Sequence, residues 1–170
     1  MNPTPHSEAA FSLRPAQDAD AEALFRVYAS TRTEELAKVP WDDGRKDAFL
    51  RMQFEAQTRC YRSDYPGAVF DVILVRGAIA GRLSVHRRAQ EIRVMDIALL
   101  PEHRRRGIGG RILRGILQEA ERDAKHVTIH VESFNPAQHL YERLGFQRVG
   151  SNGAHHLMEY RPAALVEARS

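Results

Sequence analysis

Val94 to Gly110, VMDIALLPEHRRRGIGG, decides how the rest of the chain is read. Apart from Asp96 it is apolar from Val94 to Leu100, breaks at Pro101, and passes through Arg104, Arg105 and Arg106 into Gly107, Ile108, Gly109 and Gly110. That is a strand, a turn and the start of a helix. Glycine lets the backbone come close to a ligand, and a helix start offers unpaired N–H groups and the positive end of its dipole. Such a stretch is an anion site, and a nucleotide tail is its natural guest. Past it, Ile108, Ile112, Leu113, Ile116, Leu117 and Ala120 share one helical face, with Arg111, Arg114, Gln118 and Glu121 opposite.

Upstream, Val69 to Val75, Ile79 to His86 and Ile92 to Leu100 read as an antiparallel meander, with Arg76-Gly77 as the first hairpin turn. In the last of these strands the apolar phase slips: Ile92 and Val94 share one parity, Met95, Ile97 and Leu99 the other. Burial on both faces explains this, and so does a β-bulge. Before the meander come a short strand at Phe11 to Pro15, a helix capped by Asp18 and running to about Ser30, a break at Pro40 to Gly44, and a second helix from Lys46 to Gln57. Downstream, Val127, Ile129 and Val131 alternate as a strand. Asn135-Pro136 opens a helix with Ala137, Leu140, Tyr141 and Leu144 inward, and Gly145 ends it. Strands at Phe146 to Val149 and His155 to Tyr160 complete the order β-α-α-β-β-β-α-β-α-β-β. The expected fold class is α/β: a single domain over residues 10–161 around a mixed, largely antiparallel sheet flanked by helices, with tails at 1–9 and 162–170.

Composition narrows the function. The chain has 170 residues, 43% apolar and 28% charged, which suits one domain with a full core. No apolar run approaches the roughly 18 residues that cross a membrane, and the first ten residues resemble no leader, so a soluble cytoplasmic protein is expected. A lone Cys60 makes no internal disulfide and no zinc pair. His155 and His156, adjacent on a strand, point to opposite faces, so no metal site is expected. The net charge of +3 is carried by arginine, because lysine occurs only at Lys38, Lys46 and Lys125. A nucleic-acid binder would interleave an arginine stripe with aromatics. Aromatics are only 8%, and the densest arginine cluster adjoins the glycines, so no nucleic-acid partner is expected. Ile112 stands where a dinucleotide fingerprint needs its third glycine, and no Gly-Lys-Ser/Thr follows.

Arg104-x-x-Gly107-x-Gly109 after a strand, then Asn135 and the run Leu140-Tyr141-Glu142-Arg143-Leu144-Gly145-Phe146, resemble the GCN5-related N-acetyltransferase (GNAT) superfamily, whose signature is Gln/Arg-x-x-Gly-x-Gly/Ala. The motifs span residues 94 to 150, and the element order matches over most of the chain. The resemblance implies a GNAT-like fold in which acetyl-CoA lies between two splayed strands. It makes Arg104 the signature position and gives the pyrophosphate to the backbone of Arg105, Arg106, Gly107, Ile108, Gly109 and Gly110. It gives the pantetheine arm to the backbone of Ile97, Ala98 and Leu99, with the Ile97 N–H on the thioester carbonyl. Asn135 joins the cofactor site, though Asn135 to Tyr141 is one residue shorter than the commonest interval. Tyr141 matches the residue that protonates the departing thiolate.

Some members carry a glutamate base fourteen residues before the first signature glycine, a place held here by Arg93. Asp96 is the first substitute as catalytic base, with Glu91, Glu132 and His130 behind it. The bland alternatives stay open: Tyr141 as a core residue, Asp96 in an ion pair with Arg82 or Arg93, and Trp41, Phe54, Tyr61 and Tyr65 as core rather than acceptor pocket. The implied activity is direct transfer of acetyl from acetyl-CoA to a primary amine, in a ternary complex and without metal. The acceptor is a small molecule or peptide, the enzyme a monomer or homodimer, and Asp42, Asp43 and Asp64 hint at a cationic acceptor. The rival is a non-catalytic acyl-CoA-binding or interaction module of the same fold.

Overall fold

The computed structural model describes residues 10–167, so the expectation for residues 1–9 and the last three residues lies outside what is described. Strand β1 (Ser12–Pro15) leads through a 3₁₀ turn into helices α1 (Ala21–Ser30), α2 (Thr33–Ala37) and α3 (Asp43–Asp64). Strands β2 (Val69–Val75), β3 (Ala78–Arg87) and β4 (Glu91–Leu99) form the meander, followed by α4 (Ile108–Asp123), β5 (His126–Glu132), α5 (Ala137–Arg143), β6 (Gln147–Asn152), β7 (His155–Tyr160) and α6 (Ala163–Glu167). The fold is α/β, a seven-stranded sheet in the order β1-β2-β3-β4-β5-β7-β6. Among the described residues only β4 and β5 run parallel.

The expected order of strands and long helices stands, with local differences. Helix α1 begins after the turn at Asp18–Asp20, and the carboxylate that organises this start is that of Asp20, not Asp18. Asp20 takes two hydrogen bonds from Arg14, at 2.7 and 2.9 Å, and one from the Gln17 N–H at 2.8 Å. That partnership holds its carboxyl down to about 2, with the Arg14 bond the largest cause. Helix α3 runs beyond both expected ends. The Asp42 side chain caps its start by accepting from the Arg45 N–H at 2.8 Å, and none of its residues is fully buried, so its apolar stripe is faint in sequence. Helix α2, too short for a periodic signal, went unforeseen. Beyond Tyr160, Pro162 is buried and α6 follows.

The amphipathic face of α4 closes one side of the sheet, packing Ile108, Ile112, Leu113, Ile116 and Leu117 with Val85, Val94, Val127 and Ile129 in one core. Across the sheet, α1 buries Phe25, Val27 and Tyr28, and Phe54 of α3 meets the rings of Phe25 and Tyr28 at 5.9 and 5.5 Å between centroids.

The parity slip in β4 is a bulge. Val85 pairs with Val94 and Ser84 with Asp96, so Met95 is the extra residue on its strand. The parallel rungs to β5 run from Glu91–His126 to Val94–Ile129 and stop there. From Met95 onward β4 leans away, and the two parallel strands splay at the middle of the sheet.

A cleft between splayed strands as the candidate active site

The splay leaves one edge of β4 open, and hydrogen-bond alternation says which groups use it. The Leu100 N–H bonds the Ala80 carbonyl at 2.8 Å, and antiparallel rungs repeat every second residue. Ala98 and Asp96 therefore spend their backbone groups on β3, whereas Ile97 and Leu99 turn theirs to the gap. The Leu99 carbonyl is taken by Arg104 Nε at 2.8 Å. The open edge thus offers the Ile97 N–H and C=O and the Leu99 N–H, while Ala98, expected to share the edge, contributes its side of the cleft wall instead.

The glycine-rich loop continues from this edge. Arg105 and Gly107 both take positive φ, 56° and 77°, which turns successive N–H groups toward one side. The first helical bond of α4 runs from the Arg111 N–H to the Gly107 carbonyl at 3.0 Å. The N–H groups of Ile108, Gly109 and Gly110 thus precede the helical ladder, at the positive end of a 16-residue helix. A Cβ at Gly107 or Gly109 would meet nothing within 4 Å, so the space beside the loop is open. The Arg105 and Arg106 side chains are exposed beside it. The Arg104 side chain, though exposed, folds back on the protein: beyond Leu99, its Nη2 donates to the Ser30 carbonyl and Oγ at 3.3 and 3.1 Å, tying the loop to the end of α1.

Between β4 and β5 opens a cleft of about 270 Å³ whose lining includes Asp96, Ile97, Ala98, Asn135 and Tyr141. The structure therefore brings the β4 residues, Asn135 and Tyr141 to one place, with the loop at the end of the same strand. Asn135 accepts from the Ala137 N–H at 2.9 Å, which caps α5 as its sequence suggests. Tyr141, on α5, is 5% exposed and stacks near Phe146 at 5.9 Å. Burial, and then the Asp96 carboxylate, push its hydroxyl up to about 12. Tyr141 is thus both a core residue and a cleft residue, and it holds its proton throughout the neutral range.

Asp96 sits at the floor, with 19% of its side chain exposed, in an ion pair with Arg82. Arg82 is itself 11% exposed, donates to Gln57 Oε1 at 3.1 Å, and lies 5.4 and 5.9 Å from the ring centres of Tyr28 and Phe54. Asp96 Oδ2 and Arg82 Nε have no aligned hydrogen-bond partner. Burial raises the Asp96 pKa, against the pull of Arg82 and Arg32. The ion pair with Arg82 rather than Arg93 is realised, and burial, outweighing it, leaves the carboxylate more basic than usual inside the cleft.

The other carboxylates separate. Glu91 lies outside the cleft, bonded by Thr128 at 2.6 Å and paired with Arg88 and Arg93. Burial works against its charge, but Thr128 and Arg93 hold its carboxyl below the usual value. His130 lines the cleft, and burial, Arg93 and His155 lower its pKa. Glu132 also lines it and pairs with Arg32 at 3.0 Å. Of the four aromatics considered for an acceptor pocket only Tyr61 lines the cleft, its hydroxyl 3.4 Å from the Met95 carbonyl. Trp41 packs on Phe49, and Tyr65 on Tyr61 and His86. Tyr28, Arg32 and Gln57 complete the wall without having been singled out. Tyr28 looked like an ordinary inward helix residue, and Arg32 and Gln57 carried no motif. Among the described residues no His, Cys, Asp and Glu side chains gather in threes to hold a metal, and no helix is long and apolar enough to cross a membrane.

Comparison with known proteins agrees with this fold. The family described as acetyltransferase (GNAT) domain matches residues 66–148, which hold the meander, the loop and α5. Streptothricin acetyltransferase of Streptomyces lavendulae is 28% identical over 164 residues, covering 85% of each chain. A putative [ribosomal protein bS18]-alanine N-acetyltransferase of Bacillus subtilis (strain 168) is 28% identical over 133 residues, covering 77% of each. Among solved structures, the PaiA N-acetyltransferase of Thermoplasma acidophilum in complex with coenzyme A superposes with a TM-score of 0.69 at 15% identity, over 89% of this chain and 99% of that one.

Proposed function

We propose that the chain is a GNAT acetyltransferase, a reading supported by the family match over residues 66–148, and that it moves acetyl from acetyl-CoA directly to a primary amine, both bound at once in the cleft between β4 and β5. The observation that carries this reading is the splay at Met95, which opens the Ile97 and Leu99 edge in line with the positive-φ loop.

Acetyl-CoA supplies an activated acyl group on a thiolate leaving group. The residues present fit it from end to end. The backbone N–H groups from Arg105 to Gly110, with the α4 dipole behind them, suit the pyrophosphate, and Arg105 and Arg106 add positive charge at the rim. Arg104 acts indirectly, by bracing the loop against Leu99 and Ser30. The Ile97 and Leu99 edge accepts the pantetheine amides as an added strand, and the Ile97 N–H faces the oxygen on which charge develops. Asn135 stands on the opposite wall, fixed by its cap to α5.

Acid and base follow from the pair of raised groups. An amine attacks with its lone pair, so a proton leaves nitrogen as the C–N bond forms and another reaches sulfur as the C–S bond breaks. Tyr141, a protonated phenol at neutral pH, gives the proton to sulfur. Asp96, made more basic by burial, takes the proton from nitrogen and returns it to Tyr141, whose raised pKa it already influences. No metal enters this route. The acceptor is a small-molecule or peptide amine, the protein works as a monomer or homodimer, and the cytoplasm, where acetyl-CoA is made and used, is the assigned compartment.

The Asp96–Arg82 pair favours one rival, a module that binds acyl-CoA without turnover because its only floor carboxylate is occupied. Thiol release from acetyl-CoA across a panel of amines tests the first reading against the second.

A further inference from the structure

The floor and the mouth of the cleft each hold an arginine–carboxylate pair, and the two pairs are built differently. Arg82 and Asp96, at the floor, are 11% and 19% exposed and further hemmed in by Gln57 and two rings. At the mouth, Arg32 follows α1 and Glu132 ends β5, so their contact at 3.0 Å bridges the two walls. Their side chains are 32% and 27% exposed. Arg32 also has a second carboxylate: the same nitrogen, Nη1, donates at 3.0 Å to Glu35 of α2. Glu35 lies outside the cleft and is 61% exposed. The Tyr28 ring lies 5.8 Å from the guanidinium carbon.

An arginine shared in this way can release one carboxylate without being stranded. If Arg32 falls back on Glu35 and Tyr28, Glu132 is left in the cleft needing a cation, and an incoming ammonium meets that need with no net uncovering of charge. The nitrogen that attacks the acetyl group must be neutral, so the cation on Glu132 is a different one. Glu132 lies three residues past Ile129, the last rung to β4, which is about 10 Å along the strand. Asp96 and Ile97 stand two and three residues past Val94 on the other arm of the splay. We propose that Glu132 is a specificity residue for a second ammonium of the acceptor, exchanged from Arg32, so that the preferred substrates are diamines and larger polycationic amines. This rests on the transferase reading of the same cleft.

The test uses the full chain with acetyl-CoA and two amines of equal length, butylamine and butane-1,4-diamine, read as the ratio of their kcat/KM values per amino group, which removes the statistical factor of about two that the diamine's two equivalent nitrogens bring. A part-exposed ion pair predicts a preference for the diamine of about fivefold. Glu132→Gln brings the ratio close to one. Glu35→Gln, a change outside the cleft, also lowers it, because Arg32 then settles wholly on Glu132. Arg32→Ala raises it by removing the competitor. A wild-type ratio near one overturns the inference, and so does a shift in the same direction from Arg32→Ala and Glu132→Gln, the outcome of a merely structural bridge. Thiol release with neither amine, nor with any other, overturns the transferase reading and this inference with it. A working enzyme indifferent to the second charge overturns only this inference.

Discussion

Gly81 of β3 lies against the carbonyl of Ala98 in β4 so closely that a Cβ at residue 81 would stand 2.3 Å from that oxygen. The contact is backbone on the far side, so no side chain can swing away. Gly81→Ala must push β4 outward, at a cost of about 1–3 kcal/mol, the range for forced overpacking. Because the displaced residues include Ile97 and Leu99, the KM for acetyl-CoA rises as well. Denaturant unfolding and acetyl-CoA titration of the same variant check both effects.

Gly107→Glu tests the loop. The new side chain has free space but must adopt φ near 77°, which costs about 1–3 kcal/mol, and it adds a negative charge beside the helix start. The fold survives and acetyl-CoA binding is lost. Calorimetric titration with far-UV circular dichroism separates the two, and unchanged affinity in a folded variant would remove the phosphate assignment.

Tyr141→Phe keeps the ring and its packing against Phe146 but deletes the proposed proton donor. Turnover falls by about a hundredfold or more, while acetyl-CoA affinity stays within about threefold. The pH profile of kcat carries the same signature. As the proposed base Asp96 must be ionised to act, and its pKa lies above the ordinary carboxylate value, so the acid limb sits higher than an exposed aspartate would place it. Tyr141 must be protonated and titrates at about 12, so its own alkaline limb begins only as pH nears that value. An Asp96→Asn protein that keeps the wild-type acid limb assigns the limb elsewhere.

Asp20 makes stability depend on acid. Its folded pKa of about 2 lies below the usual aspartate value, so the stabilisation from Arg14 and Gln17 is complete above that usual value and is lost as pH falls through about 2. Asp20→Asn therefore flattens the acid side of the stability curve, which urea unfolding from pH 5 down to pH 2 measures.

Much of this architecture is legible in the chain itself, for stated reasons. The face of α4 repeats at helical spacing over sixteen residues, and Arg104 to Gly110 carries its glycines at the spacing a phosphate loop uses. The bulge at Met95 shows as a break in alternation, because one added residue inverts every later side chain. What stays hidden depends on contacts far apart in sequence. Arg104 has the composition of a phosphate ligand, and only the approach of Ser30, seventy-four residues away, turns it into a brace. Arg32 reaches Glu132 across a hundred residues. Gly81 looks like an unremarkable strand glycine until Ala98 comes against it. Helix α3 is weakly patterned because it packs on α1 and reaches β3 and β4 without burying any residue fully, and α2 is shorter than two helical turns.

The central claim is direct acetyl transfer from acetyl-CoA to an amine in the cleft. Its most direct test is initial-rate kinetics of the purified chain with acetyl-CoA and a panel of primary amines, following thiol release and N-acetylated product together. The account predicts one thiol per acetylated amine, and double-reciprocal lines that intersect when both substrates are varied, as a ternary complex requires. Saturable acetyl-CoA binding with no amine-dependent thiol release, or parallel lines from an acetylated enzyme, would contradict it.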